Sequence, residues 1–107
     1  MKLRLAEKFQ KRIINYFSKK LPLQSGEKLF VFGSRVNLDA RGGDIDLFLE
    51  CSDPFRTKEI QKQRNQIKKD LVKIVDDQKV DLKISLVSEK DPFTESIRKK
   101  AVLLFEG

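Results

Sequence analysis

Two apolar runs, Leu29-Phe30-Val31-Phe32 and Ile45 to Leu49, constrain the fold of this chain more than any other feature. Between them lies the polar, glycine-bearing stretch Gly33-Ser34-Arg35-Val36-Asn37-Leu38-Asp39-Ala40-Arg41-Gly42-Gly43-Asp44. Read as strands, the runs put a small-residue turn at the end of the first. In the second, residues i and i+2 point the same way. Asp44 and Asp46 therefore share one face, while Ile45, Leu47 and Leu49 point to the other, towards a core. A third Asp lies far along the chain in another alternating run, Val80-Asp81-Leu82-Lys83-Ile84-Ser85-Leu86.

The remaining segments supply helices. From Lys2 to Lys20, Leu5, Phe9, Ile13, Tyr16 and Phe17 recur at helical spacing, and Pro22 ends the pattern. Leu21 to Glu27 reads as a loop, Lys28 to Phe32 as a buried strand, Asp44 to Cys51 as a second strand. A helix is expected from about Thr57, its candidate cap, to Asp76. The polar run from Gln61 to Gln66 leaves its middle exposed. Lys79 to Val87 reads as the third strand. Asp91-Pro92 opens the last segment, helical from Thr94 to Lys100. Ala101 to Phe105 fits either a continuation of that helix or a fourth short strand. The expected class is α/β (α+β): a small mixed sheet with helices packed on one face, as one domain over residues 1–107.

Composition excludes much chemistry. The chain has 107 residues, no His and one Cys. Ser-His-Asp and Cys-His catalysis and His-based zinc sites cannot come from it. No intrachain disulfide can form, and nothing near Cys51 argues for thiolate chemistry, so Cys51 is expected in the core. No apolar run approaches a membrane span, so the expected compartment is cytoplasmic, away from any membrane. Lys and Arg number 23 against 16 Asp and Glu, a net charge of +7 that suits an anionic partner. Solvated helix faces account for many of these charges equally well.

The ligand set present in quantity is carboxylate, which suits Mg²⁺, or Mn²⁺, rather than zinc. Alone, an Asp-x-Asp at a strand start or a Gly-Ser after a strand says little. Together they are more specific. Asp44 and Asp46 can bridge two cations, and Asp81 from a neighbouring strand can complete a shell or take a proton. Gly33 and Ser34 offer backbone N–H groups and a hydroxyl to phosphate oxygens, with Arg35 and Arg41 to balance charge.

This constellation resembles the minimal nucleotidyltransferases of the DNA polymerase β-like superfamily. Their signature is Gly-Ser, about ten residues, Asp-x-Asp, and a later third Asp. Here Gly33-Ser34 is followed by nine residues and then Asp44-Ile45-Asp46, with Asp81 as the third acid. Arg35 and Asp39-Ala40-Arg41 also match; Asn37-Leu38 stand where many members have Arg-Gly, and the loop is one residue short before Asp44. The resemblance implies the polymerase β-like nucleotidyltransferase fold, two Mg²⁺ ions on Asp44, Asp46 and Asp81, and Gly33 and Ser34 on the β- and γ-phosphates of ATP. It implies transfer of AMP to a hydroxyl, with Asp81 activating that hydroxyl. Small members of this kind pair, as antitoxins, with a HEPN-domain toxin and modify its tyrosine.

Two other readings stand beside this one. The same fold can hold a nucleotide or partner with little or no turnover, which the altered loop motivates. A nucleic-acid-binding domain fits the charge but lacks interleaved aromatics for stacking, so nucleic acid is not the expected partner. Larger members of the family use a second, helical domain to cradle the acceptor, and 107 residues are not expected to have room for one. A partner chain, or a second copy in a homo-oligomer, is expected to hold it.

Overall fold

The computed structural model describes residues 7–32 and 45–107. Four strands, β1 (Lys28–Phe32), β2 (Ile45–Cys51), β3 (Val80–Leu86) and β4 (Val102–Glu106), form one mixed sheet in the order β3-β2-β1-β4. β1 runs antiparallel to both β2 and β4, with an irregularity between Leu29 and Phe30 on the β4 side. β2 and β3 are parallel. Parallel neighbours need a crossover, and the helices α2 (Pro54–Lys62) and α3 (Arg64–Ile74) supply it.

Alternation sorts the side chains onto two faces. Leu29 and Val31 of β1, Ile45, Leu47 and Leu49 of β2, and Leu82 and Ile84 of β3 are all buried on one of them. They pack with Ile13 of α1 (Glu7–Asn15), Phe17 of the π-helical turn Tyr16–Lys20, Ile60 of α2, and Ile67 and Leu71 of α3. This is the mixed sheet that the hydrophobic pattern implies, with α1, α2 and α3 on one face; the last helix departs from the expected single helical layer. On the opposite face Phe48 is fully buried, its ring centroid 6.0 Å from that of Phe30. Helix α4 (Pro92–Lys100) lies over the far part of that face, where Arg98 pairs with Glu50 and Lys83 Nζ sits 4.9 Å from the Phe93 ring centroid.

The crossover helices differ most from the sequence reading. The expected helix over 57–76 is two helices, broken at Gln63, whose ψ of 3° departs from helical geometry. The cap of α2 is Asp53 rather than Thr57: the Asp53 side chain accepts from the Arg56 backbone N–H at 2.8 Å, with Pro54 in the first turn. Thr57 Oγ1 instead donates back to the Asp53 carbonyl at 2.8 Å. A helix can start with proline because the first N–H groups have no intrahelical acceptor. α3 stops at Ile74, and Asp76 and Asp77 follow with φ of 56° and 63°. Short Asp side chains tolerate that left-handed turn better than most. The open choice for the last segment resolves as a strand. Ala101 adopts extended geometry, and β4 pairs with β1.

Glu27 has no counterpart in the sequence reading. It is buried in the turn before β1, and its carboxylate accepts from the Gln24 and Ser52 backbone N–H groups at 2.8 and 3.0 Å. Arg56 Nε donates to both carboxylate oxygens at 3.2 and 3.3 Å, while Arg56 Nη2 donates to the Pro22 carbonyl at 2.8 Å. One buried ion pair thus joins the loop before β1, the end of β2 and the start of α2. Cys51 lies close by in the core. Burial, then the Glu27 charge, push its thiol up to about 11, so it stays protonated near neutral pH.

Candidate active site

Asp46 and Asp81 are each the second residue of their strand, and the parallel register sets them directly side by side. The reason is the pattern itself. Ile45 and Leu47, and likewise Val80 and Leu82, are held in the core, so the acids between them turn to the other face. A slip of one residue would put the carboxylates in the helical core, which fixes the register strongly. The Ile45 N–H donates to the Lys79 carbonyl at 2.9 Å, tying together the starts of the two strands just before the acids. Adjacent strands lie about 4.8 Å apart, so the two carboxylates share one small volume. Both are partly exposed.

Phe32, the last residue of β1, is the antiparallel partner of Asp46. Gly33 and Ser34 follow it in the chain, and Asp44 directly precedes β2. Gly33, Ser34, Arg35, Arg41 and Asp44 lie outside the described residues. The structure therefore brings together two of the three expected acids and is silent on the rest of the motif. Among the described residues no group of three or more Asp, Glu, Cys or His is placed to hold a metal.

A cation already stands beside the acid pair. Lys68 Nζ of α3 lies 3.8 Å from Asp81 Oδ1. Nothing in the sequence singled out Lys68. It sits next to Ile67 on the helix, and its reach around the β3 edge depends on how α3 packs. Beyond it opens a cavity of about 590 Å³ between α3 and the start of β3, with Lys68, Lys69, Lys73 and Lys79 on its walls. On the acid face, the next residue pair along the strands is Phe48 and Lys83. Phe48, which could have met a base or covered the sheet, is fully buried and covers the sheet.

A family model described as "Polymerase beta, Nucleotidyltransferase" matches residues 11–107. The chain belongs to this family of nucleotidyltransferases. No curated protein matches it. Membership assigns the general chemistry, transfer of a nucleotidyl group, and the mixed α/β architecture is consistent with it. Nucleotidyltransferases of this family typically use divalent metals and nucleoside triphosphates, and the residues present suit such an ion. Asp46 and Asp81 offer hard carboxylate oxygens from neighbouring strands, and a lysine ammonium is drawn to that same spot. No helix among the described residues is long and apolar enough to cross a membrane.

Proposed function

We propose that this nucleotidyltransferase transfers AMP from ATP to a hydroxyl on a protein partner, a tyrosine of a HEPN-domain toxin, and so acts as its antitoxin. The observation that carries the reading is the in-register pair Asp46 and Asp81, at the end of the sheet where β1 leads into Gly33-Ser34.

Asp44, Asp46 and Asp81 would hold Mg²⁺, which when bound offsets the charge of the triphosphate and of the departing pyrophosphate. Gly33 and Ser34 take the β- and γ-phosphates, with Arg35 and Arg41 as counter-charges. The acceptor oxygen bonds to the α-phosphorus while the α-phosphorus to bridging-oxygen bond breaks, and pyrophosphate leaves with that electron pair. The hydroxyl proton passes to the Asp81 carboxylate and then to solvent. Asp81 suits this role because it lies on the outer strand of the pair, open to an incoming acceptor.

The test is incubation with α-³²P-ATP, Mg²⁺ and the protein encoded by the adjacent gene. Label is expected on that protein and is expected to vanish with Asp46→Ala or Asp81→Ala. A tight complex without label would refute transfer and favour a binding module of the same fold.

A further inference from the structure

We infer that the lysine-walled cavity outside β3 is the acceptor-side docking site, and that it receives an acidic protein segment carrying the hydroxyl to be modified. The inference rests on the nucleotidyl-transfer reading above and specifies the chemistry of the acceptor.

Position comes first. The sheet order puts β3 outermost, β2 next and β1 beyond it. Gly33, expected to hold the phosphates, follows β1, two strands from Asp81. At about 4.8 Å per strand, that end lies roughly 10 Å from Asp81. The cavity lies between α3 and the start of β3, at the end of the strand that carries Asp81, and Lys68 belongs to both: it lines the cavity and contacts Asp81. A chain seated in the cavity would therefore reach the acid pair past Lys68, on the β3 side, two strands from the end of β1 that leads into Gly33-Ser34.

Charge comes second. Among the described residues, Lys68, Lys69, Lys73 and Lys79 stand with one acid, Asp77, on the cavity wall, so lysines outnumber acids there. The part of the wall formed by Val72 and Val80 is apolar, and among the described residues no aromatic side chain contributes. Single-stranded nucleic acid is usually bound by basic grooves with aromatic platforms for the bases. Here the stacking element is missing, while lysine charges over an aliphatic floor match Asp or Glu side chains beside an aliphatic or tyrosine body.

The test uses the full chain and three fluorescent probes in anisotropy titrations. These are a peptide with tyrosine flanked by glutamates, the same peptide with glutamines, and a single-stranded RNA of similar length. The acidic peptide is expected to bind at least about tenfold tighter than the glutamine peptide, since several partly exposed pairs contribute a factor of roughly two each. Lys69→Gln/Lys73→Gln/Lys79→Gln is expected to remove that preference; these side chains are exposed, and circular dichroism checks that the variant folds. Equal affinity for the two peptides, or a preference that survives the triple variant, overturns the inference. So does RNA binding tighter than the acidic peptide and lost in the same variant, which would make the cavity a nucleic-acid site. Binding of Mg–ATP is measured separately. Its absence would sink the transfer reading on its own, and the peptide comparison would still decide what the cavity takes.

Discussion

Arg56→Ala should be the most damaging single truncation outside the apolar core. It leaves the Glu27 carboxylate fully buried with, among the described residues, the Gln24 and Ser52 donors around it. Removing one partner of a buried ion pair costs about 3–5 kcal/mol, because the charge left behind is uncompensated. The Arg56 bond to the Pro22 carbonyl goes too, which places the loss in the upper part of that range. A domain of this size shifts by about 4 °C per kcal/mol, so the melting temperature should fall by roughly 16–20 °C. Urea denaturation monitored by circular dichroism gives the free energy. The decisive comparison is a double-mutant cycle. Glu27→Gln in the Arg56→Ala background removes the stranded charge, so the double variant should be more stable than the sum of the singles predicts, by about 2 kcal/mol. Strictly additive singles, or an Arg56→Ala cost below about 1 kcal/mol, would show that Glu27 is not the buried charge that the geometry makes it.

Two further outcomes concern the acids and the helix contacts. Asp46 and Asp81 side by side repel by about 3 kcal/mol at an effective dielectric of 20. The 46% exposure of Asp81 and the nearby Lys68 reduce this to about 1 kcal/mol. Asp46→Asn should therefore stabilise the metal-free protein by about that much, and Mg²⁺ should raise the melting temperature of the wild type more than that of the variant; scanning calorimetry with and without Mg²⁺ reads both, and a metal-insensitive wild type contradicts the site. Tyr16 Oη donates to Asp70 Oδ2 at 2.9 Å, and this bond holds the Asp70 carboxyl below its ordinary value. A depressed carboxyl stabilises the fold above its unfolded value and loses that contribution as pH falls. The stability gap between wild type and Tyr16→Phe should accordingly narrow as pH drops below about 4, and a gap that widens there in acid titrations of stability would reverse the assignment.

The strands and the acid pair were legible because strand periodicity is strict. Once Ile45, Leu47, Val80 and Leu82 must be inside, Asp46 and Asp81 can only be outside, and the parallel register does the rest. Helix boundaries were less legible. The polar run from Gln61 to Gln66 read as the exposed middle of one helix, yet it also hides a break at Gln63. Thr57 had the right chemistry for a cap, but Asp53 followed by Pro54 was the stronger local signal. Glu27 and Lys68 carried no signal at all. Each acts through a partner 29 or 13 residues away along the chain, Arg56 and Asp81, and such pairings exist only once the fold brings them together. The choice at Ala101 to Phe105 depended on whether β1 had a free side to pair with, which no local pattern encodes.

The break at Gln63 also bears on how copies of this chain can meet. It lies between Gln61 and Arg64, whose side chains donate to the Ile84 and Leu82 carbonyls of β3 at 3.1 and 2.8 Å. Those carbonyls belong to an outer strand, where they would otherwise be open to a foreign strand. Two acceptors on this margin of the sheet are thus occupied from within by side chains, which disfavours addition of a foreign strand there. Among the described strands that leaves β4 as the margin without such caps on its carbonyls, and a pairing of β4 against β4 would close after two copies.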